Sequence, residues 1–198
     1  MIIAIVGIDG SGKTTQARLL TERLSKLGYN CICINPVFYL FELMKMGFNN
    51  PLISPRKKRV SRTKTNGQIS FMITVLGYFY VLLSLLAIKV RFIGRVVVCD
   101  RFFFQFLYDV GGSKGEQLVS LIPKPDFIFY LKGSWEIFRG RVQNEFDATV
   151  DGEYYVKVVN FLNILSQRYH FVEVDATLGI RQTSNFIMDY VKQRLGAK

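Results

Sequence analysis

The chain has 198 residues, 49% of them hydrophobic, and a formal net charge of +11. This length and composition predict one domain over residues 1–198 and exclude a disulfide framework, because only three cysteines are present. No acidic residue lies between Glu42 and Asp100, an interval that holds ten basic residues. A charge run is usually a solvated face, but this density indicates an anionic partner such as a phosphate, a nucleic acid or a lipid headgroup.

Short apolar runs alternate with helical patterns along the chain. The first strand is predicted at 2–7, and the helix at 14–28 has one apolar side and ends at Gly28. Further strands are predicted at 29–35, 95–100, 126–132 and 171–176, and further helices at about 68–92, 102–121, 134–145, 153–169 and 180–195. This alternation predicts a three-layer α/β fold, a five-stranded parallel sheet with helices on both faces. Such sheets bind ligands at the carboxyl ends of their strands.

The first strand leads directly into GIDGSGKTTQ, which fits the phosphate-loop pattern G-x-x-x-x-G-K-[ST]. Glycines let several backbone N–H groups point at one anion, at the positive end of a helix. Lys13 is placed to reach the β and γ phosphates, and the Thr14 hydroxyl is placed to ligate Mg²⁺. We therefore predict a P-loop NTPase fold that binds ATP or GTP. The predicted nucleotide-binding residues of the loop are Gly7, Gly10, Ser11, Gly12, Lys13, Thr14 and Thr15.

Three acidic or basic residues near the strand ends suggest a second substrate. Asp9 would repel a nucleotide unless it points toward donors such as a sugar hydroxyl; a solvated loop residue is the alternative. The strand at 95–100 ends in Asp100 and is followed by Arg101. The acid can hold a water of a Mg²⁺ shell and the arginine can clamp a second phosphoryl group, with a structural ion pair as the alternative.

Four pieces of the chain, in this order and spacing, resemble the thymidylate kinase family of P-loop nucleoside-monophosphate kinases: GIDGSGKTTQARLL, VVVCDRF, PKPDFIFYLKGSWEIFRGR and VEVDAT. The resemblance covers almost the whole length. It implies an ATP- and Mg²⁺-dependent kinase that phosphorylates a nucleoside monophosphate, with dTMP favoured, and a homodimer that pairs through apolar helices. Another nucleotide or a phosphorylated metabolite could be the acceptor instead. A nucleotide-binding, membrane-associated protein with little kinase activity is the third possibility.

The resemblance also implies roles for individual residues. Asp9 would accept the sugar 3′-hydroxyl of the acceptor, and Arg101 would hold the acceptor phosphate. Thr14 and Asp100 would serve the metal. The acceptor site would comprise Asp9, Asp100, Arg101 and Phe102; the catalytic residues would be Lys13, Arg101, Arg139 and Arg141; and the donor adenine would lie near Asp175, Ala176 and Thr177.

Three departures from the family pattern bear on the acceptor. After the second strand, the next arginine is Arg56. Residues 69–88 carry no charge, whereas relatives tend to place an arginine there that reads the thymine. The lid after Arg141 is acidic. The lid is expected at about 142–152. A mobile basic loop at about 50–67 could supply Arg56, Arg59 or Arg62 as the missing phosphate-gripping arginine; a solvated loop is the alternative.

The uncharged stretch at 69–88 is long enough to span a bilayer. A span would put the phosphate loop and the strand at 95–100 on opposite sides of the membrane, so we predict a buried central helix that also supplies a dimer face. Peripheral membrane contact is the less favoured alternative. No nucleic-acid partner is expected, because the aromatic residues near the basic run are not interleaved with it. The N-terminus lacks the basic region of a signal peptide, so we expect a cytoplasmic protein.

Overall fold

The structure is a computed structural model that describes residues 1–47, 67–141 and 152–196. The chain divides into two compact units. The first comprises Met1–Asn35, Phe92–Phe102 and Pro125–Lys198, and the second comprises Pro36–Arg91 and Phe103–Lys124. The predicted single domain therefore stays a prediction. Apart from Gly67 and Gly152, which begin helices, the predicted basic loop and lid lie outside the described residues.

The first unit is built on a parallel sheet of five strands in the order β2-β3-β1-β4-β5. Ile5 of the central strand pairs with Asp100 on one side and Phe129 on the other, so the loop after β1 and the end of β3 share one edge. All five predicted strands are confirmed to within two residues at each end. Their bounds are β1 Ile2–Gly7, β2 Cys31–Ile34, β3 Val96–Asp100, β4 Phe127–Lys132 and β5 Val172–Asp175.

The helices of the described residues follow the predicted pattern with three differences. The helix predicted at 134–145 ends at Arg139, because Gly140, a poor helix former, and Arg141 form a turn. The predicted helix at 102–121 is broken by Gly112, whose φ is 57°, and the chain turns back so that Gly115 packs against the Leu107 backbone. A helix at 39–47 was not predicted. The helices are α1 Lys13–Lys26, α2 Tyr39–Gly47, α3 Gly67–Arg91, α4 Phe103–Gly111, α5 Ser113–Val119, α6 Trp135–Arg139, α7 Gly152–Tyr169 and α8 Ile180–Gly196.

Gly28, the predicted stop signal, lies two residues beyond Lys26, where α1 ends. Gly28 has a φ of 89°, a left-handed conformation that glycine adopts without a Cβ penalty. The backbone N–H of Tyr29 then donates to the Leu24 carbonyl at 3.2 Å, and that of Gly28 donates to the Ser25 carbonyl at 3.0 Å. The cap satisfies the last carbonyls of α1, so the helix that follows the phosphate loop has a defined length.

Helix α3 belongs to the second unit and is buried on one face only. It approaches α4 closely, since a Cβ on Gly77 would lie 3.3 Å from the Val110 side chain. The prediction of a buried central helix holds for the side with Val81 and Leu85, whereas the opposite side is exposed. Within the described chain, 71–91 is the one helical stretch long and apolar enough to cross a membrane by length and composition.

Candidate functional site

The loop between β1 and α1 is shaped by glycines. Gly10 and Gly12 have φ values of 82° and 90°, which favour glycine. A Cβ on Gly7 would lie 2.8 Å from Ser11 Oγ and 2.9 Å from the Leu131 carbonyl oxygen, so no side chain fits there. Ser11 is 3% exposed, and its hydroxyl makes no hydrogen bond with any described residue. The loop therefore keeps a buried donor and several backbone N–H groups for an anion.

Lys13 is held inside this loop. Its side chain is 4% exposed, and Nζ donates to the Ile8 carbonyl at 2.5 Å and lies 3.5 Å from Asp9 Oδ1. Burial lowers the pKa of Lys13 to about 8, against the opposing effect of the Asp9 carboxylate. A bound phosphate would add negative charge beside this amine and favour its charged form.

Asp9 is shared between two cations. Arg101 Nη2 donates to Asp9 Oδ1 at 2.7 Å, on the same oxygen that Lys13 approaches. Asp9 thus points toward donors, as the sequence predicted, but those donors are side chains of the protein itself. Its proposed bond to a sugar hydroxyl stays a prediction.

The predicted metal residues are in contact. Thr14 Oγ1 donates to Asp100 Oδ2 at 2.7 Å, and the other carboxylate oxygen is buried and accepts no hydrogen bond from the described residues. Among these residues no three of the types His, Cys, Asp and Glu lie close enough to hold a metal together. Magnesium in nucleotide sites usually takes one or two protein oxygens, water and phosphates. A hydroxyl beside a carboxylate oxygen whose ion-pair partner is the Arg101 guanidinium, at 4.0 Å, fits that arrangement.

The remaining predicted residues lie on α6 or just after it, and at the end of β5 and the turn that follows. Arg141 Nη1 donates to the Ala176 carbonyl at 2.8 Å. In the same turn, the Thr177 N–H and hydroxyl both donate to Asp175 Oδ1, at 2.8 and 2.6 Å. These two hydrogen bonds fix the conformation of the turn. The structure thus joins Arg141 to the turn predicted to lie near the donor base.

Three other predicted residues differ in exposure. Thr15 is exposed on the first turn of α1. Phe102 is 2% exposed, so its ring belongs to the core rather than to an open surface. Arg139 is exposed, and its guanidinium carbon lies 5.9 Å from the Trp135 ring centroid.

Tyr155 on α7 is a candidate residue that the sequence did not reveal. It is 8% exposed, and its hydroxyl is buried without a hydrogen-bond partner among the described residues. Burial raises the pKa of Tyr155 above its ordinary range, and the negative charges of Tyr130, Glu136 and Asp9 raise it further. Along the sequence Tyr155 falls on the apolar side of a predicted helix, where a tyrosine usually indicates core.

No protein-family model matches the chain. Three curated relatives align over most of its length. The chain is 28% identical to the thymidylate kinase of Neorickettsia sennetsu, covering 100% of this chain and 97% of the relative. It is 28% identical to the probable thymidylate kinase 1 of Saccharolobus solfataricus, with 89% and 88% covered. It is 26% identical to the probable thymidylate kinase of Methanocaldococcus jannaschii, with 97% and 96% covered.

A solved structure shares the fold. A deoxyadenosine kinase from M. mycoides, with the products dCMP and a flexible dCDP bound, superposes with a TM-score of 0.54 at 17% identity, covering 98% of this chain and 99% of that one. With the parallel sheet and the loop after its central strand, this confirms the predicted P-loop NTPase α/β fold. The curated relatives, which align over nearly the full length, support the predicted resemblance. The chain is similar throughout to members of the thymidylate kinase family of P-loop nucleoside-monophosphate kinases.

Proposed function

We propose that the protein transfers the γ-phosphoryl group of ATP, in the presence of Mg²⁺, to a nucleoside monophosphate, with dTMP as the preferred acceptor. One observation carries the proposal: the segment predicted to hold the donor phosphates is bonded directly to the last residue of β3 and to the residue that follows it. Thr14 bonds Asp100 and Asp9 bonds Arg101, each at 2.7 Å. The names of the curated relatives support dTMP as the acceptor.

The residues present can divide the work as follows. Lys13 would contact the β and γ phosphates from inside the loop, and Arg101 would bind the acceptor phosphate while Asp9 orients its guanidinium. Thr14, and Asp100 through water, would hold Mg²⁺, which neutralises charge on the phosphate oxygens when it is bound. No covalent intermediate is needed, because alignment of the two substrates and charge neutralisation suffice for this reaction class.

The test is ADP formation by the purified protein with ATP, Mg²⁺ and a panel of nucleoside monophosphates. We expect turnover with dTMP above the other acceptors, and its loss in Lys13→Ala. Lys26→Ala is the matched control, since Lys26 is an exposed lysine at the far end of the same helix. Turnover with another monophosphate would keep the kinase and change its acceptor. ATP binding without turnover on any acceptor would refute the proposal and favour a nucleotide-binding role.

We also propose that two copies pair through α3. Six large apolar side chains on its exposed side repeat in steps of four and three residues, as in a coiled-coil seam, and are 56% to 65% exposed: Met72, Leu76, Phe79, Leu83, Leu86 and Val90. Together they expose on the order of 600 Å², close to the roughly 800 Å² per partner of a standard interface. An antiparallel arrangement avoids placing Lys89 and Arg91 against their own copies.

A cross-linking experiment can test both the pairing and its direction. Met72 and Val90 lie about 27 Å apart along the helix, so an antiparallel pair brings Met72 of one copy near Val90 of the other. A mixture of Met72→Cys and Val90→Cys proteins should cross-link on oxidation, while neither does so alone above the wild-type background. Cross-linking of Met72→Cys alone would indicate parallel pairing. A monomer that instead co-sediments with anionic vesicles would assign the stripe to lipid.

A further inference from the structure

Three side chains of the first unit, among them the predicted catalytic residue Arg139, form a stack. The Trp135 and Tyr155 ring centroids lie 4.1 Å apart, with 38° between their planes. The Arg139 guanidinium carbon lies 5.9 Å from the Trp135 ring centroid, within the range of a cation–π contact. Because Trp135 and Arg139 are four residues apart on α6, they share one side of that helix. Trp135 therefore links an exposed arginine to a buried tyrosine.

The Tyr155 ring and the helix that carries Trp135 are both held by packing. Tyr155 is 8% exposed on α7, and Phe138, the residue of α6 before Arg139, is fully buried. A Cβ on Gly133 would lie 2.3 Å from the Phe138 ring, so the chain enters α6 in close contact with that ring. The indole is thus attached to a short helix whose start is tightly packed, and it rests on a ring that belongs to the core.

The two arginines of EIFRGR have different partners. Arg141 donates to the Ala176 carbonyl and is therefore held at the turn after β5. For Arg139, Trp135 is the partner among the described residues. Arg139 lies two residues before Arg141, so the stack is joined along the chain to the turn predicted to lie near the donor base.

We propose that Trp135 is a positioning residue for phosphoryl transfer: its indole holds the Arg139 guanidinium, and the Tyr155 ring holds the indole. The inference rests on the proposed kinase function. A free arginine side chain samples many rotamers, and ordering it at the moment of reaction lowers the rate. A stacked guanidinium is already ordered, so the expected gain lies in kcat rather than in the binding of ATP.

The kinetic test is a double-mutant cycle. Trp135→Leu should lower kcat about fivefold, because the free energy of an exposed cation–π contact corresponds to a rate ratio of about that size. The KM for ATP should stay within about twofold of the wild-type value. Trp135→Phe keeps a ring and should restore most of the loss. In an Arg139→Ala background Trp135→Leu should have no further effect, because the residue it positions is gone. Ile137→Ala, on the same short helix and 42% exposed, is the matched control that should leave kcat unchanged.

A second readout needs no turnover. Trp135 is the only tryptophan of the chain, so fluorescence excited selectively at tryptophan, and not at the ten tyrosines, reports on the stack. Arg139→Ala should make the emission more accessible to quenching by acrylamide, and Ile137→Ala should not. Equal effects of Trp135→Leu on kcat in the wild-type and Arg139→Ala backgrounds would overturn the proposal, as would unchanged quenching in an active enzyme. Absence of kinase activity in the wild-type protein would instead refute the proposed function, and the transfer role of Trp135 with it.

Discussion

Replacing Lys13 with methionine should abolish two pH effects that arise from one buried amine. Burial lowers the pKa of Lys13 from 10.5 to about 8, and the nearby Asp9 carboxylate only partly opposes this. The phosphates of ATP would place further negative charge beside the amine and raise its pKa again. Above pH 8, ATP binding to the wild-type protein should therefore be coupled to the uptake of one proton.

The lowered pKa of Lys13 sets the expected size of both pH effects. The apparent affinity for ATP should fall by up to about tenfold for each pH unit above 8, until the pKa of the complex is reached. The stability of the free protein should move in the opposite direction. Between pH 8 and 10.5 the unfolded chain holds the proton and the folded chain does not, so the free energy of unfolding rises with pH. The contribution of this group over the whole window is about 3 kcal/mol.

Calorimetric titration with ATP between about pH 7 and 9.5, in two buffers of different ionisation enthalpy, counts the protons taken up. Urea unfolding over the same range measures the stability effect in the absence of ligand, which matters because Lys13→Met should bind ATP weakly. Lys26→Met, at an exposed position on the same helix, is the control. The reasoning would be refuted if the ATP affinity of the wild-type protein did not change across this pH range. It would also be refuted if the free energy of unfolding of Lys13→Met changed with pH in the same way as that of the wild type.

Three further substitutions probe other parts of the site. Asp100→Asn should lower kcat by about 100-fold and raise the Mg²⁺ concentration needed for half-maximal rate, because it weakens the oxygen set beside Thr14; an unchanged Mg²⁺ titration would contradict this. Tyr155→Phe should change the free energy of unfolding by no more than about 1 kcal/mol, because the hydroxyl has no hydrogen-bond partner among the described residues. The same substitution should raise the KM for the monophosphate. A larger loss of stability in urea would mean that the hydroxyl is bonded in the free protein. Gly133→Ala should destabilise the protein by about 1–3 kcal/mol in urea unfolding, because its Cβ would meet the Phe138 ring at 2.3 Å, and a neutral result would show that this ring can move.

The strands and the phosphate loop could be predicted because their signals are local. A short β-branched run followed by spaced glycines and a lysine fixes β1, the loop and the start of α1 without knowledge of the rest of the chain. The break between α4 and α5 could not be predicted in the same way, since the apolar pattern continues across it. Only the φ of 57° at Gly112 and the contact of Gly115 with the Leu107 backbone reveal that the chain turns back.

Side-chain partners were the least predictable part of the site. Asp9 could be expected to point toward donors, but not toward Arg101, because that pairing depends on a backbone conformation that the sequence does not signal. Tyr155 could not be found at all: its helical position indicates core, and what distinguishes it from a packing residue is a hydroxyl without a hydrogen-bond partner among the described residues. Such features arise from contacts between residues far apart in the chain, which periodicity does not report.

The backbone conformation of Arg101 explains how two adjacent residues, Asp100 and Arg101, can bond to different parts of the proposed site. Consecutive side chains of a strand point to opposite faces of the sheet, so an extended Arg101 would point away from the side used by Asp100. Instead Arg101 has a φ of 77°, rare for a residue with a side chain, at a cost of about 1–3 kcal/mol. Its N–H still donates to the Ile5 carbonyl at 3.0 Å, and its guanidinium reaches Asp9 at 2.7 Å, which offsets that cost. The strained residue thus turns the arginine toward the proposed acceptor side while Asp100 keeps its bond to Thr14 on the donor side.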